Sequence, residues 1–594
     1  MARNARDFHT TRSPCMFPIR RVAALLFAAA ALTACGNDSS TAPTVTPVLG
    51  ASATALSSSA VKLTFNSKAG DTGYTIERAE GAAGAFGLVG TVAAPSTAGA
   101  VSYTDANLKV STAYRYRIIT VRGSSTSVAS AEISVTTLAF GSAAAEIATD
   151  ITANRTLYAD TTYTLKGFIH VANGATLTIQ PGTTIKGDFN TLGSSLMVLR
   201  GAKIQAVGTA EAPIVFTSSR LAGQRQAGDW GGLIIVGNAP INRSGSVEIE
   251  GSGTDGQAVV GGKNYQVLYS GGTTVTDNSG ELKYVRVEFA GFAPSLNNEL
   301  NTFTFAAVGS GTRLSYLNAV NGLDDSFEFF GGAADLSYAV AYEGEDDQFD
   351  MSEGFQGRLQ FLISYKSTNI PIRTGAGSYA SDLQGIENDG CNGSGCDLGF
   401  DTAPLTTPVV ANFTLIGPAS QTITGAGGGY GLMLRRGTGG YYVNGVLARY
   451  PAAGISVRDV ATYARAGSTA IPDLAAADLA VKNVFIAETP NAFQAATATQ
   501  NVFDLAGNGI THSAATTAAS LFTTLPATGA VPSGASAFDF TPAAGSAIAT
   551  GGLATFTGKL ATKAGTAVTG TSYLGAAAPG GVKWWQGWTN YVRN

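Results

Sequence analysis

The stretch that decides the fold is LSYLNAVNGLDDSFEFFGGAADLSYAVAYEGEDDQFD, which runs from Leu314 to Asp350. Its opening triplet LSY (314–316) returns 22 residues later as LSY (336–338), and after another 23 residues as LQF (359–361). Short apolar runs and Gly-rich turns lie between the triplets. A unit of this length cannot bury its apolar face alone, so successive units have to stack and share one core.

Short apolar strands that alternate with Gly-rich turns at this repeat length are typical of a parallel β-helix. An earlier segment repeats as well, because GATLTI (174–179) returns as GAKIQA (201–206). A leucine-rich repeat has a similar length, but its asparagine ladder and helical half are absent from the sequence. We therefore predict an all-β chain with a parallel β-helix over residues 148–594.

The composition excludes several classes of function. A net charge of −4 argues against a nucleic-acid partner, which requires a basic face. The three histidines are His9, in a segment that we expect to be removed, and the isolated His170 and His512. A His-rich zinc site and a Ser/His/Asp site are therefore disfavoured.

The N-terminus carries the pattern of a secretion signal. Two arginines at positions 20 and 21 precede an apolar run of roughly a dozen residues, too short for a stable membrane-spanning helix. The run ends in LTAC (32–35), which resembles a bacterial lipoprotein signal cleaved before Cys35. We expect residues 1–34 to be the signal peptide, with translation starting at Met1 or Met16.

Lipidation of Cys35 would anchor the mature chain in a membrane. Gly36 follows the cysteine, where an aspartate would favour retention in the inner membrane. We therefore expect an outer-membrane lipoprotein that faces the cell surface or the periplasm. Residues 35–47 are polar and form a flexible tether.

Residues 48–138 alternate apolar and polar residues in short runs, which is the pattern of a β-sandwich. The segments YTDANL (103–108) and TAYRY (112–116) resemble the tyrosine corner of fibronectin type III domains, with Tyr114 as the corner residue. Phe65 stands where that family often places a tryptophan. The resemblance implies a spacer or adhesion module.

Five further motifs resemble a group of bacterial right-handed parallel β-helix lipoproteins that is largely uncharacterised. They are TLKG (164–167), IQPGTTIKG (179–187), GDWGGL (228–233), LKYVRVEFAG (282–291) and GWTN (587–590). The resemblance implies a right-handed β-helix after the fibronectin type III-like sandwich, and a location at the cell surface. It implies no activity.

The acidic parts of two neighbouring repeats are the strongest candidate for chemistry. DDSFE (324–328) returns at the same offset of 22 as DDQFD (346–350). Alternation would point Phe327 and Phe349 inward, and Glu328 and Asp350 outward on one face. Stacked strands lie about 4.8 Å apart, so these carboxylates would be like charges nearly in contact. Further acidic residues would join this patch, namely Glu343, Glu345, Glu353 and, on a third rung, Glu387 and Asp389.

Three interpretations of the acidic rungs remain open. Calcium suits them, because Ca²⁺ takes six to eight oxygen ligands and tolerates irregular geometry; the candidate ligands are Asp324, Asp325, Glu328, Asp346, Asp347 and Asp350. A solvated acidic face is the second interpretation. The third is a catalytic carboxylate pair for glycoside cleavage, which a groove lined by Tyr342 or Tyr365 would favour.

Three other groups of residues carry further predictions. Cys391 and Cys396 are expected to form a disulfide outside the cytoplasm. The paired Arg435 and Arg436 are expected to form an ordinary surface ion pair or to be turn residues, rather than to supply a catalytic base. The cluster WWQGW (584–588) would cap the open end of the β-helix or offer an aromatic platform to sugars.

The sequence thus predicts an envelope lipoprotein that binds carbohydrate, another surface protein or other extracellular material. No residue is identified as catalytic, which favours a binding protein over an enzyme. A polysaccharide lyase or glycoside hydrolase that acts through the acidic rungs, and a structural envelope component, are the alternatives.

Overall fold

A computed structural model describes residues 45–245, 247–252, 267–269, 271–295, 298–377, 382–391, 396–495 and 503–594. The predicted signal peptide, Cys35 and most of the tether lie outside the described residues. No helix in the described ranges is long and apolar enough to cross a membrane.

The N-terminal strands form two antiparallel sheets that pack into a sandwich. One sheet has the order β1-β2-β5, and the other has the order β4-β3-β6, with β7 and β8 also paired to β6. The Tyr114 hydroxyl accepts a hydrogen bond of 2.9 Å from the backbone N–H of Lys109, which is the bond that a tyrosine corner makes. The strands are β1 (Ser52–Ala55), β2 (Val61–Asn66), β3 (Gly73–Glu80), β4 (Gly87–Ala93), β5 (Ala100–Asp105), β6 (Ala113–Arg122), β7 (Ser125–Thr126) and β8 (Ile133–Thr136).

From residue 143 onward nearly all strands pair in parallel, which confirms the predicted β-helix. The strands of its rungs are β9 (Ala143–Ile147), β10 (Arg155–Leu157), β11 (Thr161–Leu165), β12 (Phe168–Val171), β13 (Thr176–Ile179), β14 (Thr184–Gly187), β15 (Ser195–Val198), β16 (Lys203–Val207), β17 (Ile214–Ser218), β18 (Gly232–Val236), β19 (Gly280–Glu288), β20 (Phe292–Ser295), β21 (Asn298–Leu300), β22 (Phe303–Ala306), β23 (Arg313–Val320), β24 (Phe327–Phe330), β25 (Asp335–Tyr342), β26 (Asp350–Ser352), β27 (Arg358–Tyr365), β28 (Ile386–Asp389), β29 (Val409–Ile416), β30 (Tyr430–Arg435), β31 (Gly440–Ala448), β32 (Ala453–Val457), β33 (Leu479–Ala487), β34 (Phe493–Ala495) and β35 (Thr511–Ser513).

These strands build two long sheets. The broad sheet runs β9-β11-β14-β17-β19-β23-β25-β27-β29-β31-β33-β35, and β10, β13 and β16 join it through β19. The narrow sheet runs β12-β15-β18-β22-β24-β26-β28-β30-β32-β34. The antiparallel pair of β20 and β21 lies outside both sheets.

Each rung of the broad sheet from β19 to β33 is one strand with a bend in its middle. The bend residue has a positive φ, of 50° at Tyr284, 55° at Tyr316 and 62° at Tyr338, and Phe361, Asn412, Asn444 and Asn483 continue the column. This left-handed conformation costs an ordinary residue about 1–2 kcal/mol. Stacking offsets that cost, since the rings of Tyr284 and Tyr316 lie 4.3 Å apart and those of Tyr316 and Tyr338 4.5 Å apart.

Stacked aromatic rings fill the interior beside the narrow sheet. Phe303, Phe327 and Phe349 stack with centroid distances of 5.0 and 5.1 Å, and all three are fully buried. The inward direction predicted for Phe327 and Phe349 is therefore correct, and the repeat offset of 22 residues sets the register that aligns them.

The residues after β35 fold back along the outer face of the broad sheet. Trp588 packs edge-on against Tyr284 and Tyr316, and Trp584 against Tyr338. These rings belong to middle rungs, so the prediction that the tryptophans cap the open end was wrong. Within this segment lie β36 (Phe522–Thr524), β37 (Asp539–Pro542), α3 (Ala518–Leu521), α4 (Gly558–Ala564) and the 3₁₀ turns Ala535–Ala537 and Ala547–Ala549. Earlier in the chain lie the short helices α1 (Gln421–Thr424) and α2 (Val460–Arg465) and the 3₁₀ turn Ala506–Asn508.

Candidate functional site: a buried carboxylate ladder

The predicted acidic rungs lie in register on the outer face of the narrow sheet. Glu328 of β24 pairs with Asp350 of β26, and Asp350 pairs with Glu387 of β28. The third rung, expected from Glu387 and Asp389, is therefore present. Ahead of these strands, the side chain of Asp325 accepts a hydrogen bond of 2.9 Å from the backbone N–H of Asp347, so the turns stack as well.

The carboxylates are covered rather than solvated. Asp324 is 6% exposed and Asp346 is 7% exposed, and Asp325, Glu328 and Asp347 are equally buried. The interpretation of a solvated acidic face is therefore wrong. The carboxylates are buried because segments inserted between the rungs lie over the outer face of the narrow sheet.

Two polar contacts show how these segments cover the ladder. Asn301, just before β22, donates hydrogen bonds of 2.9 Å to both Glu250 and Glu328. On the other side, the backbone N–H of Gln384 donates to Asp347. Glu250 lies in the connection between β18 and β19, and Gln384 lies in the connection between β27 and β28.

Burial and crowding raise the pKa of the ladder carboxyls. The largest cause at each is desolvation, and for Asp324, Asp325, Glu328 and Asp347 the next is a neighbouring carboxylate. Nine of the described carboxyls with a raised pKa lie in this cluster, and together we call them the ladder: Glu250, Asp324, Asp325, Glu328, Asp346, Asp347, Asp350, Glu387 and Asp389.

Positive charge reaches the ladder at one end. Arg435 of β30 pairs with Glu387 and, at 2.8 Å, with Asp389, and Arg436 also pairs with Asp389. The expected ion pairs are therefore present, and Arg436 lies in the turn after β30, but the sequence did not indicate that their partners are buried ladder carboxylates. Although desolvation lowers it, the pKa of Arg435 is raised overall by the carboxylates around it, so this guanidinium holds its proton firmly and is unsuited to act as a base.

The geometry of the ladder suits cations. Three groups of carboxylates each bring their ligand oxygens within 4.8 Å of one another: Asp324 with Asp325 and Asp346; Asp325 with Glu328 and Asp350; and Asp347 with Asp350 and Glu387. Asp325 and Asp350 are shared between groups. All six ligands predicted from sequence belong to these groups, and Glu387 extends the set.

Two oxygens in these groups lack a hydrogen-bond partner. Oδ1 of Asp346 and Oδ1 of Asp350 are buried and accept no hydrogen bond from any described residue. A buried carboxylate oxygen without a partner is costly, and a hard cation is the partner that carboxylates in such a cluster accept best. The residues present therefore fit calcium.

Other acidic residues assigned to the patch lie elsewhere. Glu343 accepts hydrogen bonds from Ser367 and pairs with Arg593, while Glu345 pairs with Lys366 at 2.9 Å. They take part in local ion pairs, so their inclusion was wrong. Sequence reasoning missed Glu250, which belongs to no repeat and has no periodic signal.

A catalytic groove lined by tyrosines is not formed beside the ladder. Tyr342 and Tyr365 are 0% and 2% exposed, and both pack edge-on against Phe538 of the C-terminal segment. They stand on the broad sheet, whereas the ladder stands on the narrow one. The feature that would have favoured an enzyme is therefore absent from the described residues.

The predicted disulfide is confirmed. Cys391 and Cys396 are bonded, with their Cα atoms 5.4 Å apart, directly after β28. The bond closes a short loop at the end of the rung that carries Glu387 and Asp389.

Comparison with known proteins gives one family match. The family model of the pectate-lyase-like β-helix domain matches residues 149–524, and no curated protein matches the chain.

Solved structures with similarity to parts of the chain include the following three. Titin kinase with its flanking domains is 24% identical over 16% of this chain and 18% of its own, with a TM-score of 0.15, so this chain spans less than a fifth of it. A fibronectin type III-like protein from Clostridium thermocellum is 26% identical over 14% of this chain and 84% of its own, with a TM-score of 0.13. Pectate lyase Pel3 from Pectobacterium carotovorum is 9% identical over 62% of this chain and 85% of its own, with a TM-score of 0.16. The TM-scores are too low to support a functional argument. The family model covers more than half of the chain, and with the parallel sheets it shows that this protein belongs to the pectate-lyase-like β-helix family.

Proposed function

We propose that the protein is a calcium-loaded β-helix of the cell envelope that binds polysaccharide without cleaving it. The observation that carries this proposal is the closed ladder, in which buried carboxylates face one another and two of their oxygens lack partners. Membership of the pectate-lyase-like family supports a role related to polysaccharides.

Calcium would stabilise the ladder by replacing repulsion with coordination. Nine carboxyls with raised pKa values stand against Arg435 and Arg436, so the ladder carries a large excess of negative charge whenever it is ionised. Two or three divalent ions would neutralise most of that charge. They would also fix Glu328 and Asp347, which the covering segments contact through Asn301 and Gln384.

Burial of the ladder favours binding over catalysis. A cleaving enzyme of this fold needs a cation or carboxylate that substrate can reach, and a base that releases its proton near neutral pH. Seven of the nine ladder carboxyls are buried, Glu250 and Asp350 are partly exposed, and Arg435 is held charged by Glu387 and Asp389. The alternative, a polysaccharide lyase or glycoside hydrolase, would have to act through this same acidic ladder.

The N-terminal part of the chain would place the β-helix away from the membrane. In this proposal Cys35 carries the lipid, residues 35–47 form the tether, residues 48–138 form the spacer, and residues 148–594 present the binding surface. The membrane in question would be the outer membrane, at its surface or periplasmic face.

A panel of immobilised polysaccharides tests the proposal. The chain without residues 1–34 is passed over xylan, cellulose, galactomannan and polygalacturonate in calcium and in chelator, and both retention and released oligosaccharides are measured. We expect retention without released product, and weaker retention in chelator. Product release would establish the enzyme instead, and absence of retention on every matrix would leave the structural envelope component.

A further inference from the structure

A groove of about 320 Å³ crosses the outer face of the broad sheet, on a different sheet from the ladder. It spans the rungs of β19, β23, β25 and β27. Its lining is mostly polar and includes Lys283, Ser315, Ser337, Arg313, Asp335 and Gln360. It is therefore a separate feature that the calcium ladder does not explain.

One column of polar side chains runs along the groove from rung to rung. Lys283 pairs in register with Ser315, Ser315 with Ser337, and Ser337 with Gln360. Within the described residues the hydroxyls of Ser315 and Ser337 make no hydrogen bond, and the Lys283 ammonium contacts only the Tyr284 ring, at 5.8 Å. Three polar groups at a spacing of about 4.8 Å are thus free to bind a ligand.

A second column beside the first alternates in charge. Arg313 lies 3.9 Å from Glu281 on one side, and Arg358 forms a two-pronged ion pair with Asp335, at 2.8 and 2.6 Å. Within each pair the two charges neutralise each other, and the pair still offers hydrogen-bond donors and acceptors to a ligand. Among the described residues that line the groove, Lys283 is then the one charged side chain without an ion pair.

The C-terminal segment supplies one wall. Gln360 donates to the carbonyl of Thr569 at 2.7 Å and accepts from its N–H at 3.2 Å, which fixes Ala567 and Val568 at the edge of the groove. A site whose walls are already fixed loses little entropy when it binds.

We propose that this groove binds a neutral, hydroxyl-rich polysaccharide in an extended conformation, with its chain along the axis of the β-helix. The inference rests on the proposed function and assigns its ligand class and its location. The stacked serine hydroxyls and the Lys283 ammonium suit sugar hydroxyls, and the self-neutralised ion pairs disfavour a polyanion.

Titration calorimetry on the calcium-loaded chain without residues 1–34 tests the inference. The probes are xylohexaose and cellohexaose, with hexagalacturonate as the acidic comparison. The double variant Lys283→Ala/Ser337→Trp removes the free charge and fills the groove. Its matched control is Lys203→Ala/Thr178→Trp, which makes the same kind of change on the broad sheet outside the groove.

We expect a neutral hexaose to bind the unmodified chain and the control equally, and to bind the groove variant at least about tenfold more weakly, since a charged donor and the space for the sugar are lost. Equal melting temperatures of the two variants check that both are folded. If the groove variant binds as well as the control, the groove assignment is overturned and the proposed function stands. Binding of hexagalacturonate alone overturns the neutral ligand class. An unmodified chain that binds none of the probes, and that no polysaccharide matrix retains, overturns the proposed function as well.

Discussion

Replacement of Asp346 by asparagine should change stability in opposite directions with and without calcium. Asp346 is 7% exposed, its Oδ1 has no hydrogen-bond partner, and it shares a ligand group with Asp324 and Asp325. Without calcium its carboxylate only adds repulsion, so Asp346→Asn should stabilise the fold. With calcium the carboxylate is a ligand, and the same change should destabilise it.

The expected size follows from the two states. In chelator at pH 7 the ionised carboxylate is desolvated and repelled by its neighbours. Removal of one ladder carboxylate should therefore stabilise the fold by about 1–3 kcal/mol, the size usual for one buried group without a partner. In calcium, a hundredfold loss of affinity removes about 2.7 kcal/mol of binding free energy. For a cooperative unit the size of residues 149–524, that loss lowers the melting temperature by about 3 °C.

Thermal unfolding of Asp346→Asn and the unmodified chain, each in calcium and in chelator, measures both effects. Asp401→Asn is the matched control, because its side chain is 92% exposed and its surface ion pair should contribute little. The control should shift neither curve by more than about 1 °C. A shift of Asp346→Asn in the same direction under both conditions would refute the account of the ladder.

Three further predictions concern pH, packing and the anchor. In chelator the melting temperature should fall as pH rises above about 4, because carboxyls with raised pKa values bind more protons in the folded state than in the unfolded state. In saturating calcium the melting temperature should instead fall as pH drops, since protons compete with the ion for the carboxylates. Identical pH profiles in the two conditions would contradict this prediction. Phe327→Ala should lower the free energy of unfolding by about 3–5 kcal/mol in urea titrations, because it opens a cavity in the middle of the Phe303–Phe327–Phe349 stack, whereas a loss below about 1 kcal/mol would mean that the stack is loosely packed. Cys35→Ala should move the full-length chain from the membrane fraction to the soluble fraction, and persistent membrane attachment would argue against lipidation at this residue.

The repeats made the fold and the core of the ladder predictable. An offset of 22 residues placed Glu328 over Asp350 and Phe327 over Phe349, and both pairs lie in or beside the parallel register of β24 and β26. Periodicity of this kind is visible in sequence because every rung has to present apolar residues to one core.

Burial of the ladder could not be predicted, because its cover comes from segments outside the repeats. Glu250 and Gln384 reach the ladder from connections whose length and sequence carry no period. The same reason explains why Tyr342 was wrongly expected to line a groove beside the ladder and Trp588 to cap the open end of the β-helix. Both pack between the broad sheet and the C-terminal segment, whose path along the side of the β-helix leaves no periodic pattern.

Calcium titration of the chelator-stripped chain tests the central claim most directly, with bound ions counted by calorimetry and the melting temperature followed in parallel. The account predicts more than one bound calcium ion per chain, a melting temperature that rises on addition of calcium, and loss of both effects in chelator. No bound calcium, together with a melting temperature that changes in neither direction, would contradict it.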